Sequence, residues 1–160
     1  MPIGHLRRVV VTAVAVAGMT LAGTTSASAD GAVKWRHRTS DDCLVHIVNG
    51  AGQPYDVGID WCGAGITWYE EYNSSDDTWL MHPGTSSDRR GYCLAAYSNL
   101  DVYIEPCTPN NDWQRWYERW TGSSFKLQHK QTSLYLDSND SSVYLGHGGW
   151  NNDNKYQLWY

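Results

Sequence analysis

The chain has 160 residues, 41% hydrophobic and 18% charged, with a formal net charge of −5 at pH 7. An acidic chain lacks the basic patch on which phosphate-backbone binding runs, so nucleic acid and anionic membrane surfaces are excluded as expected partners. Nine Trp and eleven Tyr stand against one Phe, which predicts an aromatic core rather than an aliphatic one.

In chain order, the first element is a leader. Arg7-Arg8 precede the apolar run VVVTAVAVAGMTLAG, and Ala27-Ser28-Ala29 form a small-x-small signal. That order is the pattern of a secretory signal peptide, and the run is too short and too rich in small residues for a membrane span. Residues 1–29 are expected to be removed and residues 30–160 to form a secreted, extracellular domain. The mature chain then has 160 − 29 = 131 residues, and loss of Arg7 and Arg8 takes its charge from −5 to −7. That length suits one domain with its own core.

All four cysteines, Cys43, Cys62, Cys93 and Cys107, lie after the leader. An even count in an exported chain predicts two disulfides, with three pairings open. No CxxC pair is present, so no metal site is expected.

Beyond the leader, Gly, Asn, Asp and Ser punctuate short apolar runs, the profile of strands and tight turns. The runs repeat. KWRHRTSDDCL from Lys34, WLMHPGTSSDRRGYCL from Trp79 and KLQHKQTSLYL from Lys126 each place an apolar residue two before a His. His37, His82 and His129 are 45 and 47 positions apart, and the second stretch carries an insertion of five residues within Gly84–Arg90. Each unit then reaches Cys43-Leu44, Cys93-Leu94 or Tyr135-Leu136, followed by VGIDWC, VYIEPC or VYLGHG. Each closes on Trp68-Tyr69, Trp116-Tyr117 or Trp159-Tyr160. Three units, at about 32–74, 78–121 and 124–160, predict an all-β fold. Three blades are too few to close a propeller. A barrel with pseudo-threefold symmetry, a β-trefoil of three repeats of about 45 residues, is therefore expected, with Trp68, Trp116 and Trp159 in its shared core.

The stretch NDWQRWYERW at Asn111–Trp120 is ambiguous in isolation. Its aromatics fall at the i, i+3, i+4, i+7 spacing of a helix face and also alternate as in a strand. The repeat assigns Gln114-Arg115-Trp116 to a strand motif and leaves Trp113 and Trp120 without a role.

Cys-Leu, a second Cys before a polar loop, and Gln-x-Trp at this period resemble the ricin B-chain type of β-trefoil lectin, in its short secreted bacterial form. KLQHKQTSLYLDS, VYLGHG and YQLW of the third unit carry the resemblance most closely, while the first unit has Ile-Thr-Trp in place of Gln-x-Trp. The resemblance implies twelve strands, four per unit, and disulfides within units, Cys43 with Cys62 and Cys93 with Cys107. The third unit, with Tyr135 and Gly148 at those positions, carries no staple. It also implies that His37, His82 and His129 brace turns by hydrogen bonds.

Carbohydrate binding is the function it implies, with no cofactor. Sugar hydroxyls need a carboxylate acceptor and amide partners, and a pyranose C–H face needs an aromatic ring. The resemblance places the acceptor two residues after the first Cys, the ring two before the second, and an Asn just ahead of Gln-x-Trp. The first unit has Val45 and Asp60 there, with Trp61 beside the latter. The second has Ala95 and Glu105, with Tyr97 and Asp101 nearby. Both sites are expected to be lost. The third unit keeps Asp137 but has Gly146 at the ring position. A single weak site is therefore expected around Asp137, with Tyr144 nearby, His147 or Trp150 as the ring, Asn154 as the amide, and Gln157 bracing Asp137. Its partner would be a galactose-type sugar or a cell-wall or plant polysaccharide. The alternative is a secreted protein-interaction or inhibitor module with degenerate sugar sites, using the Gly84–Arg90 loop. With no G-x-S-x-G motif and no phosphate loop, no enzyme activity is expected.

Overall fold

The computed structural model describes residues 31–63, 66–84, 91–139, 141–149 and 153–160. The expected leader, positions 85–90 of the insertion and Trp150 lie outside those residues.

The described chain is built from short strands. The first unit contributes β1 (Gly31–Val33), β2 (Cys43–Val48), β3 (Pro54–Asp60) and β4 (Trp68–Asn73). The second contributes β5 (Thr78–Pro83), β6 (Tyr92–Ala96), β7 (Val102–Pro106) and β8 (Trp116–Thr121), and the third β9 (Ser124–His129), β10 (Tyr135–Ser138) and β11 (Val143–Gly146). Eleven strands are thus formed among the described residues, against the twelve implied by the repeat. The place of the twelfth is taken by bridges from Trp159 to Phe125 and to His37.

Those bridges close the barrel. Antiparallel pairs run β1–β4–β5–β8–β9. Trp159 and Phe125 exchange two 2.9 Å backbone hydrogen bonds. On the other side the Arg36 N–H donates to the Tyr160 carbonyl at 2.9 Å, and the Tyr160 N–H returns a bond to Arg36. The hairpins β2–β3, β6–β7 and β10–β11 cap one end.

Threefold repetition in sequence becomes threefold packing. Leu44, Leu94 and Leu136 are fully buried, as are Trp68, Trp116 and Trp159. The indole N–H of Trp68 donates to the Leu44 carbonyl at 2.9 Å and that of Trp116 to Leu94 at 3.0 Å. In the third unit the indole N–H of Trp159 is buried without an acceptor among the described residues. Cys43 is bonded to Cys62 and Cys93 to Cys107, each contributing about 3 kcal/mol by restricting the unfolded chain.

Register corrects the sequence alignment at one point. Trp68 pairs with Pro83, Trp116 with His129, and Trp159 with His37. Pro83, not His82, is therefore the counterpart of His37 and His129, and the true spacing is 46 and 46 (83 − 37 and 129 − 83). The core residues two positions earlier are then Trp35, Met81 and Leu127, all buried. His82 instead packs beside the second disulfide, its Nδ1 at 3.0 Å from the Tyr92 carbonyl and 3.6 Å from the Cys107 sulfur.

The ambiguous stretch is part turn and part strand. Asp112–Gln114 form one 3₁₀ turn, capped by Asn111, whose side chain accepts the Trp113 N–H. β8 then begins at Trp116 and pairs with β9 over six residues. Trp120 is exposed on that strand, packed on Phe125 and donating to Glu118.

Candidate carbohydrate site

Asp137 lies on β10 directly opposite Tyr144 of β11, so the two side chains emerge on one face of the hairpin. Its neighbours across the hairpin explain its position. Gly146 has no side chain, and a Cβ built there would meet Asp137 Oδ2 at 2.2 Å. The carboxylate lies over that glycine and is 5% exposed.

Two amides hold it. Asn154 Nδ2 donates to Asp137 Oδ2 at 3.0 Å and Gln157 Nε2 to the same oxygen at 2.9 Å. Gln157 Nε2 is also 3.0 Å from the His147 carbonyl. Asn154 is placed by its second role: it caps the 3₁₀ turn Lys155–Gln157 by accepting the Tyr156 N–H. The turn is anchored from the first unit by His37, whose Nε2 lies 3.2 Å from the Tyr156 carbonyl. The Ser138 hydroxyl lies 2.9 Å from the same nitrogen. His129 makes the same bond to the Trp113 carbonyl at 3.0 Å, bracing the second unit's turn. Burial lowers the His129 pKa, which favours its neutral form.

Asp137 Oδ1 is buried and has no hydrogen-bond partner among the described residues, and neither has Gln157 Oε1. A buried acceptor left unmade costs about 1–3 kcal/mol. The fully buried Lys126 sits in the field of Asp137, with its ammonium donating to the Gly149 carbonyl at 2.9 Å. Burial lowers the Lys126 pKa, opposed by Asp137 and Asp153. Burial, then Asp137 and Tyr156, raise the pKa of the half-buried Tyr144 phenol, which keeps it a neutral donor.

The third unit thus gathers Asp137, Tyr144, Asn154 and Gln157. His147 accepts from Gln157 through its backbone carbonyl, and its side chain is exposed. Trp150 lies outside the described residues. Tyr156 was missed in the sequence: it is 43% exposed and adjacent to the Asn154 cap. Its signal was available in the alignment of Asn111-Asp112-Trp113-Gln114 with Asn154-Lys155-Tyr156-Gln157. That alignment also gives Trp113 its role as the counterpart of Tyr156, and makes Asn111 the second unit's capping amide.

The second unit shows the same frame with its polar groups used up. Glu105, opposite Cys93 as Gly146 is opposite Tyr135, accepts from Gln114 Nε2 at 2.6 Å. The Tyr97 and Tyr103 hydroxyls lie 3.3 and 3.5 Å from its oxygens. Tyr97 is sandwiched between Trp113 and Tyr103, at centroid distances of 4.9 and 5.5 Å and within 10° of parallel. Asn139 stands at the equivalent place in the third unit. In the first unit Val45, Gly63 and Ile66 stand where Asp137, Asn154 and Gln157 stand, and none carries the required side-chain group.

The fold defines the class of protein: a β-trefoil. Among solved structures it is similar to SeviL bound to asialo-GM1 saccharide, at TM-score 0.61 and 17% identity, over 82% of this chain and 95% of that one. It is also similar to the designed threefold-symmetric protein ThreeFoil, at TM-score 0.64 and 17% identity, over 81% and 96%. A third similar structure is the Polyporus squamosus lectin bound to a human-type influenza-binding epitope, at TM-score 0.64 and 16% identity, where 82% of this chain matches 48% of that one. No family model matches the sequence, and no curated protein does.

Proposed function

We propose that the protein is a secreted, non-enzymatic carbohydrate-binding module of the ricin B-chain type, with one weak sugar site in its third unit. The observation that carries this reading is the Asp137 carboxylate, opposite Tyr144, whose Oδ2 accepts from two amides while its buried Oδ1 has no partner among the described residues. A sugar hydroxyl donates to that oxygen. Asn154 and Tyr144 offer further polar contacts, and the exposed Tyr156 ring covers the C–H face. Because Asp137 is covered in the unliganded protein, binding requires the carboxylate to turn outward past Gly146, a soft rotation for Asp. SeviL and the Polyporus squamosus lectin, both bound to saccharides, support the ligand class, and a galactose-type sugar or a cell-wall or plant polysaccharide is the proposed partner. Export is supported by the two disulfides, which persist in oxidising compartments.

A protein-interaction module is the second reading. It is favoured by Trp61, 74% exposed beside the Cys43–Cys62 bond, and by the internal saturation of the second unit. A glycan array with the mature protein and with Asp137→Ala separates the two. The lectin reading expects a glycan signal that the substitution abolishes. No glycan above background at high protein concentration would sink it.

A further inference from the structure

A second opening lies apart from Asp137, where the three hairpins meet on the pseudo-threefold axis. It is a cavity of about 560 Å³, within the roughly 300–1,000 Å³ range of ligand clefts. Its lining includes one valine from each unit, Val57, Val102 and Val143, at equivalent places in β3, β7 and β11. The residue before each valine supplies the next layer: Asp56, Asp101 and Ser142. Tyr55 and Ser141 add an aromatic ring and a further hydroxyl. Backbone contacts between units frame the opening, with Asp56 opposite Tyr103 and Asp101 opposite Tyr144.

These carboxylates differ from Glu105 of the second unit in what they have left to offer. Asp56 Oδ1 accepts its neighbour's Val57 N–H at 2.8 Å, and Asp101 Oδ2 accepts from Asn99 at 2.7 Å. The second oxygen of each has no partner among the described residues. Tyr55 is 50% exposed and Ile47, also in the lining, 37%. None of the lining residues is Lys, Arg or His, so an anionic ligand finds no counter-charge there.

We propose that this axial cavity is a second saccharide subsite, built between units, for an uncharged sugar residue. Asp56 and Asp101 accept from its hydroxyls, the serines complete the polar rim, and Tyr55 covers its C–H face. The proposal rests on the carbohydrate-binding reading for the class of ligand, but it uses none of Asp137, Asn154 and Gln157. β11 lies between the two sites: Val143 lines the cavity while Tyr144 faces Asp137, as alternation along a strand requires. One glycan chain crossing that strand engages both sites, and avidity then offsets two weak affinities.

The test is an amide-resolved NMR titration of the mature protein with methyl β-galactoside, N-acetylglucosamine and sialyllactose. It is repeated on Asp137→Asn, Asp101→Asn and Tyr55→Ala. A neutral sugar is expected to shift the Gly58, Val102 and Val143 amides in both the native protein and Asp137→Asn. Asp101→Asn and Tyr55→Ala should each weaken that response at least tenfold, and sialyllactose should leave it absent. Both substituted side chains are at the surface, and an unchanged spectrum elsewhere certifies the fold. Shifts confined to the Asp137 and Gln157 region overturn the axial subsite and leave the third-unit reading standing. Shifts at the axial amides that persist in both Asp101→Asn and Tyr55→Ala overturn it too. No shift at either place with any of the three sugars overturns both.

Discussion

Gln157 holds Asp137 by a 2.9 Å hydrogen bond to Oδ2 while Oδ1 stays buried without a partner among the described residues. The bond is the third unit's version of the one between Gln114 and Glu105. In the second unit the carboxylate comes from the opposite strand and its oxygens are taken up by tyrosines. In the third, half the carboxylate is left over.

Gly146 makes that arrangement sterically admissible. Gly146→Ala places a methyl group 2.2 Å from Oδ2 and 2.9 Å from the Asp137 Cβ, so the carboxylate must leave its two amides. The expected result is a loss of about 1–3 kcal/mol in denaturant unfolding, with sugar binding lost alongside. Gly50→Ala, where a Cβ meets nothing within 4 Å, should change stability by no more than about 0.5 kcal/mol.

The three core tryptophans are equivalent in position but not in hydrogen bonding. Trp116→Phe removes a bond to the buried Leu94 carbonyl and orphans that acceptor. Trp159→Phe removes an N–H that has no acceptor. With similar volume lost at both sites, the Trp116 substitution should cost about 1 kcal/mol more. Paired urea titrations at one pH measure the difference, and equal costs would show that the Trp159 N–H is satisfied in solution.

A buried carboxyl pair sets a pH dependence. Glu70 is pushed up to about 8, first by burial and then by the Glu118 charge, against the opposing hydrogen bond from the Trp35 indole at 2.8 Å. Burial is also the first cause of the raised Glu118 pKa. The folded state therefore keeps a proton that the unfolded chain, at its ordinary 4.5, releases. The stability this group contributes is complete below that pH and is lost as pH rises toward about 8, by at most about 1.4 kcal/mol per pH unit. Glu70→Gln should flatten the decline, so that the variant gains on the native protein as pH rises. Unfolding curves for the two proteins at several pH values check this, and a constant difference between them contradicts it.

The threefold plan was legible in the sequence because the motif of each repeat lies within a few residues. Leu44, Leu94 and Leu136 could be superposed without knowing any contact. The one-residue error at His82 came from anchoring on residue type: a His adjacent to Pro83 imitated the counterpart of His37 and His129. Only the pairing of Trp68 with Pro83 exposes it. At the candidate site, Asp137, Asn154 and Gln157 followed from the motif. Burial of the carboxylate did not, because it depends on the register that brings Gly146 beneath it. The axial cavity was out of reach for the same reason, since its walls come from three units distant in sequence.

A crystal structure of the mature protein with its strongest array glycan shows whether Asp137 holds the sugar. The account predicts a sugar hydroxyl within hydrogen-bond distance of Asp137 Oδ1, with Gln157 retained behind the carboxylate and the Tyr156 ring against the sugar. A glycan bound at the first or second unit, with Asp137 still covered over Gly146, would contradict it.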